Sequence, residues 1–287
     1  MPAIISNQPA EHESEQALRR AETVICLSRL PPFHAAALKL LNISSDSGTA
    51  IDDFERIFRG DPAIAADLLL VANSALFGNR AQVCTIRHAL MHLGLDRVRS
   101  LSTTIALSFF VRNQPRTAFV RQIWAHSVAT AVIVEVLGDL YKAKDLYTAG
   151  LVHDLGRLGL LLTVGPKYEE WASGELPNVE EANQLERARF GMNHCEAGSL
   201  VGHKWGYPVL LRCCMIGHHR LESGPPRDPL LLVQWACRIA SAIGYPEVHS
   251  PQPEPFPELP DKARHCKELA PERICGRIDA QIAIIGG

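Results

Sequence analysis

Ala149-Gly150-Leu151-Val152-His153-Asp154-Leu155-Gly156-Arg157-Leu158-Gly159 sets an adjacent histidine and aspartate into a run that is otherwise apolar and helical. Burying such a doublet costs free energy unless other groups pair with it, so the stretch requires partners from elsewhere in the chain. The helix predicted around it runs from about 144 to 162 and is apolar on nearly all sides over 155–164. That pattern belongs to a helix at the centre of a bundle.

Working outward, a long helix precedes the doublet from Phe119 to Tyr141, carrying Trp124, His126, Val128, Val132 and Leu137. After it, a polar loop over 176–181 leads into a charged helix through Arg189. Asn193 followed by Glu196 forms an Asn-type capping box and places His194 in the first turn of the next helix, which ends at Trp205-Gly206-Tyr207-Pro208. Another helix spans Val209 to Gly217 with His218 and His219 at its end, and a last bundle helix follows Pro229 to Ile243.

The N-terminal part reads as helices as well. One spans 11–27 and stops before Leu30-Pro31-Pro32, a turn, after which Phe33, Ala37, Leu40 and Leu41 mark one face of the next. A polar loop over 44–49 precedes a short helix at 51–58. Asp61-Pro62 then supplies an N-cap and a first-turn proline for a helix that closes at Asn73-Ser74-Ala75-Leu76-Phe77-Gly78. Thr85 caps a helix through Leu93, and Gly94-Leu95-Asp96 turns the chain into another over 97–111. Helix, glycine turn and helix also opens a DNA-reading motif, and Arg87, Arg97 and Arg99 lie nearby. The apolar second helix favours an αα-hairpin with solvated arginines instead. Beyond Gly244-Tyr245-Pro246, five prolines from Pro251 to Pro260 mark an extended linker before a final helix at 271–285. No segment shows the period-two alternation of a strand, so the predicted fold class is all-α.

The totals narrow the function classes. The chain has 287 residues, 47 % of them hydrophobic, and 29 basic against 31 acidic side chains leave a net charge of −2. No global field therefore draws it to nucleic acid or to an anionic membrane. The first 16 residues lack the apolar core of a signal peptide, and no run of about 18 uncharged apolar residues is present to span a bilayer, so the expectation is a cytoplasmic protein with no membrane partner. The eight cysteines show no C-x-x-C spacing and read as reduced thiols.

His126, His153, Asp154, His194, His218 and His219 are dispersed over successive predicted helices that can converge in a bundle. Imidazole and carboxylate together suit a divalent zinc, iron, manganese or magnesium ion, and facing helices are a usual way to assemble such a set. His203 lies nine residues after His194, about half a turn away in angle, so the two face opposite sides and His194 is the site candidate. His12, His34, His88, His92, His249 and His265 carry no such claim.

Leu30-Pro31-Pro32, Asp61-Pro62-Ala63-Ile64, Ala72-Asn73-Ser74-Ala75-Leu76-Phe77-Gly78, Ile86-Arg87-His88-Ala89-Leu90 with Leu93-Gly94, Trp124-Ala125-His126-Ser127 and the doublet stretch together resemble the HDOD domain, a bacterial output-type relative of the HD and HD-GYP metal-dependent phosphohydrolases. The resemblance covers about 28–245. It implies an extension at 1–27, an HDOD-specific helical half at 28–115 packed on an HD-like helical bundle at 116–246, and a Pro-rich linker and tail at 247–287. In the catalytic relatives the metal site takes an early His, the His-Asp doublet, later histidines and a late Asp. His126 matches the first, His194 with His218 or His219 the later histidines, and the late Ala-Asp-Arg is read here as Ala236-Cys237-Arg238. Cys237 thus stands where a carboxylate is expected. A thiolate still suits a softer metal such as zinc, although a cysteine on an apolar helix is most often core. Neither Gly206-Tyr207-Pro208 nor Gly244-Tyr245-Pro246 directly follows His218-His219, as the cyclic-di-GMP hydrolases would require.

The resulting expectation is a bacterial signalling domain that works through contacts with other signalling proteins rather than by catalysis, its polar centre serving as structure or as a metal or nucleotide sensor. The alternative is an active metal-dependent phosphohydrolase of nucleotides or cyclic dinucleotides with an altered ligand set, in which Arg157, one turn past the doublet, could contact phosphate; the favoured role for Arg157 is that of a helix-surface arginine paired with a nearby acid.

Overall fold

The structure, a computed structural model, describes residues 8–43, 49–74, 82–112, 114, 117–174, 178–220, 224–248 and 255–286, with side chains at 14–283 of these. The predicted loop at 44–48, the helix end at 75–78 and the prolines at 251 and 253 lie outside the described residues. No strand occurs among the described residues, and the fold is an all-α bundle.

The N-terminal half contains α1 (Gln8–Ser28), α2 (Ala35–Leu41), α3 (Ala50–Arg59), α4 (Pro62–Ala72), α5 (Ile86–Leu93) and α6 (Leu95–Arg112). Local chemistry sets their starts. The Asp61 carboxylate accepts from the Ile64 amide at 3.3 Å with Pro62 at the first helical position, and Thr85 Oγ1 accepts from the His88 amide at 3.1 Å. The arginines of the αα-hairpin are engaged within the chain. Arg87 pairs with Asp52 and Glu55, Arg97 with Glu135, and Arg99 with Asp96 and the carbonyls of Leu40 and Ile43.

The second half is built on α7 (Ala118–Tyr141), which packs against α14 (Pro229–Ala242) and α8 (Tyr147–Val152). By length and composition α7 could cross a membrane, yet most of its apolar window is buried inside this bundle. α9 (Leu155–Val164) crosses α12 (His194–Lys204), flanked by α10 (Pro166–Ala172), α11 (Val179–Phe190) and α13 (Val209–Gly217). Between the halves α1 packs on α9, α11 and α12, and Trp205 stacks on Phe33, ring centroids 5.2 Å apart, and donates from Nε1 to the Pro31 carbonyl at 2.9 Å. The Pro-Pro turn is thereby clamped to the end of α12.

Three findings depart from the sequence reading. First, the doublet is not inside one helix. α8 ends at Val152 and α9 begins at Leu155. His153 Nδ1 donates to the Gly150 carbonyl at 2.6 Å, the acceptor that an uninterrupted helix would give to the Asp154 amide. Neighbours on a straight helix point about 100° apart; the break lets both side chains turn inward. Second, Arg157 is not on a helix surface but is among the most completely buried side chains. Third, 255–286 is more than a linker and tail. α15 (Asp261–Arg264), a 3-10 turn (Lys267–Leu269) and α16 (Pro271–Gly286) lie against α7 and α6 and bury Leu259, Ala263, Leu269, Ile274 and Ile278. The helix crossing also requires glycine at 156: a Cβ there would lie 1.8 Å from the His194 carbonyl oxygen, so α9 and α12 approach as closely as they do because it has none.

Candidate metal centre

All six expected residues meet in one buried cluster between α7, the α8–α9 break, α12, α13 and the start of the segment after α14. The imidazoles form a chain, with ring centroids of His126 and His153 5.3 Å apart, His153 and His218 4.9 Å, His194 and His218 5.3 Å, and His218 and His219 4.1 Å. His203 is exposed and faces Arg212 at 3.2 Å, outside the cluster.

Hydrogen bonds orient the rings. His126 Nδ1 donates to the Tyr245 carbonyl at 2.8 Å, His153 Nδ1 to Gly150, and His218 Nδ1 to the Met215 carbonyl at 2.8 Å. A carbonyl only accepts, so each of these nitrogens carries the proton and each ring directs an Nε2 lone pair inward. His194 Nδ1 instead meets Glu186 Oε2 at 2.7 Å, and Tyr168 Oη donates to the other Glu186 oxygen at 2.6 Å. Carboxylate behind imidazole is the arrangement that fixes the ring of a metal-bound histidine. Asp154 Oδ1 lies 3.6 Å from His194 Nε2 and 3.9 Å from His218 Nε2, while its Oδ2 accepts from Arg157 Nε at 2.8 Å. Arg157 also reaches Glu247 Oε2 at 3.5 Å and so bridges the two acids.

Three residues outside the sequence prediction complete the cluster. Glu186 sits on the buried stripe Ala182, Glu186, Phe190 of α11, and an acid at a core position of a helix was its legible signal. Cys195 follows His194, its Sγ 3.5 Å from His194 Nε2. Glu247, one residue after Pro246, belongs to no periodic pattern, yet its carboxylate lies 2.8 Å from Cys237 Sγ and 3.4 Å from His219 Nε2.

The donor geometry suits a metal ion. Donor atoms of His194, Cys195, His218 and His219 all lie within 4.8 Å of one another, as do those of His126, His153 and Cys237, and those of His219, Cys237 and Glu247. Such spacing lets donors close on a common ion at the ~2.0–2.3 Å of zinc–nitrogen and zinc–sulfur bonds. His153 Nε2 and Asp154 Oδ1 are each buried without a hydrogen-bond partner, a costly state that coordination to a cation would relieve.

The electrostatics point the same way. Burial, reinforced by His126, holds His153 well below the ordinary imidazole value; burial with the His219 and His153 rings does the same to His218, and burial brings His219 down to about 3. These rings are neutral, the form that ligates. For His194, burial and Arg157 oppose the charge, but Cys195, Glu186 and Asp154 outweigh them and raise it well above the ordinary value. Burial resists ionisation of Glu186 as well, and the charges of His194 and Arg157 bring it to about 2. Metal and proton therefore compete at His194. A cleft of about 850 Å³ leads to the cluster from outside, with His218, His219 and Glu247 on its inner wall and Arg187, Arg220 and Arg238 along it.

Comparison with known proteins adds the family. An uncharacterised protein of Treponema pallidum (strain Nichols) is 22 % identical over 200 residues, 68 % of this chain; the match spans 39 % of that relative's length. Among solved structures, an HDOD domain protein of unknown function from Geobacter sulfurreducens aligns with TM-score 0.64 at 23 % identity, covering 92 % of this chain and 90 % of that one. A candidate signal transduction protein of Marinobacter aquaeolei VT8 gives 0.68 at 18 %, over 95 % and 66 %. A candidate metal-dependent phosphohydrolase of Shewanella amazonensis SB2B gives 0.58 at 17 %, over 92 % and 99 %. At these identities the likeness is one of fold. The family model of the HDOD domain matches residues 30–221, two thirds of the chain, and with the clamped Pro-Pro turn and the buried His-Asp doublet inside that range, this chain belongs to the HDOD family.

Proposed function

We propose that this chain is a regulatory domain of the HDOD type that holds a divalent metal ion in its buried centre and acts on other signalling proteins by contact rather than by turnover. The observation that carries the metal part is that His153 Nε2 and Asp154 Oδ1 are each buried without a hydrogen-bond partner, beside the inward lone pairs of His126 and His218. The residues offered for an ion are His126, His153, Asp154, His194, His218 and His219, whose donor spacing separates a His126–His153 group from a His194–His218–His219 group. The non-catalytic part is supported by Arg157. Its guanidinium takes one oxygen of Asp154 and faces Glu247, so part of the doublet's negative charge is already engaged within the chain rather than left for a phosphoryl-activating ion.

A second reading, a metal-dependent phosphohydrolase of nucleotides or cyclic dinucleotides, is favoured by the cleft that reaches His218 and His219, whose lining includes Arg187, Arg220 and Arg238 beside Glu180, Glu196 and Glu247. There the ion would supply Lewis-acid polarisation of a phosphoryl oxygen. The cleft arginines would bind and orient the anion.

Elemental analysis of protein purified without chelators, run beside a screen of nucleotides, cyclic dinucleotides and phosphomonoesters, separates the two. Stoichiometric metal, lost in the His153→Ala, Asp154→Ala double variant, without turnover is the expected result. Metal-dependent turnover abolished in that variant would replace the regulatory reading by the enzymatic one. A metal-free preparation would sink both.

A further inference from the structure

Cys237 and Glu247 belong to different elements, yet they converge on one corner of the centre. Cys237 lies on α14 and is almost wholly buried; Glu247 lies four residues after the helix's C-cap, also buried. The Cys237 thiol donates to Glu247 Oε1 at 2.8 Å, and its Sγ stands 3.5 Å from His126 Nε2. The position of Glu247 is held from three sides: Ser241 Oγ accepts from its amide at 3.3 Å, Gln122 Nε2 donates to its carbonyl at 3.0 Å, and Arg157 faces its carboxylate. A buried carboxylate pinned this way is pre-organised, not the end of a mobile loop.

We propose that Cys237 and Glu247 together replace the late aspartate, so that Cys237 Sγ joins His126 Nε2 and His153 Nε2 on the ion and the Glu247 carboxylate beside the thiol supplies the oxygen donor, a mixed site selective for zinc-like ions over magnesium. This rests on the metal reading above and says which ion the centre prefers. Thiolate and imidazole are soft or borderline donors suited to zinc, whereas magnesium demands octahedral oxygen ligation and gives up its water reluctantly. The negative charge lost with the aspartate is thereby restored twice, once by the carboxylate and once by the thiol when it ionises. Binding forms one metal–sulfur bond, breaks the S–H bond and releases that proton to solvent through the cleft, whose wall includes Glu247.

Cobalt(II) titration of chelator-treated full-length protein tests this without reference to activity. The expected spectrum shows visible d–d bands of bound cobalt together with a near-ultraviolet sulfur-to-cobalt charge-transfer band. Cys237→Ser loses the near-ultraviolet band and keeps its helical circular dichroism; Glu247→Gln keeps the band but binds cobalt at least about tenfold more weakly. Zinc displaces the cobalt and magnesium does not. Visible bands without the near-ultraviolet band in the unaltered protein, persistence of that band in Cys237→Ser, unchanged cobalt affinity in Glu247→Gln, or displacement by magnesium each overturn the proposal while leaving the metal reading intact. Failure to take up cobalt at all overturns the metal reading itself. Should Cys237→Ser not fold, Cys195→Ser decides: retention of the near-ultraviolet band there assigns the sulfur to Cys237, and its loss overturns the proposal.

Discussion

Glu186 is the residue on which the orientation of the centre depends most. It accepts from both the backbone amide and Nδ1 of His194 at 2.7 Å, so it sets the helix start and the ring at once. Glu186→Gln keeps the shape but loses the charge-assisted bond, and metal affinity measured by competition with a chromophoric chelator is expected to fall about 10- to 100-fold. His126, His153, His194, His218 and His219 were legible as candidates because histidines on successive helices are a recognisable chemical set. Glu186 was legible in principle as an acid on the apolar stripe of α11. Glu247 was not, since a residue after a proline turn carries no periodicity from which its direction can be read.

At the scale of the elements, the capping box of α12 and its approach to α9 position His194. Asn193 Oδ1 accepts from the Glu196 amide and Glu196 Oε2 from the Asn193 amide, both at 3.0 Å. Burial works against ionisation of Glu196, but the Asn193 amide and Arg187 overcome it and hold the carboxyl below its ordinary value of 4.5. A carboxyl with a depressed folded-state pKa stabilises above the unfolded value, and that stability is lost as pH falls through the folded value. Glu196→Ala is therefore expected to cost about 0.5–1 kcal/mol at pH 7, with the difference from the unaltered protein shrinking as pH falls below the ordinary value of 4.5 in urea unfolding followed by circular dichroism. Gly156→Ala forces α9 away from α12 and is expected to destabilise by at least about 1–3 kcal/mol in the same measurement. The helices flanking the doublet were legible from apolar periodicity and caps. The break at His153-Asp154 was not, because a side chain capturing its own helix's carbonyl leaves no mark on the hydrophobic pattern.

For the whole molecule, the C-terminal segment closes the core over α7. Ile278 is fully buried among the bundle's apolar side chains, so Ile278→Ala is expected to cost about 2–5 kcal/mol by thermal or urea unfolding. A value near zero would mean that α16 is dispensable to the domain. Sequence alone determined that the chain is helical, where most helices begin and end, and that histidines on successive helices accompany one His-Asp pair as a candidate site, because periodicity, caps and residue chemistry are local. The tertiary structure alone decided that Arg157 is buried between two acids, that Glu186 and Glu247 enter the centre, and that Cys237 meets a carboxylate rather than plain core. Those depend on which side chains distant helices bring within about 4 Å, and that distance is set by packing, down to the missing Cβ of Gly156.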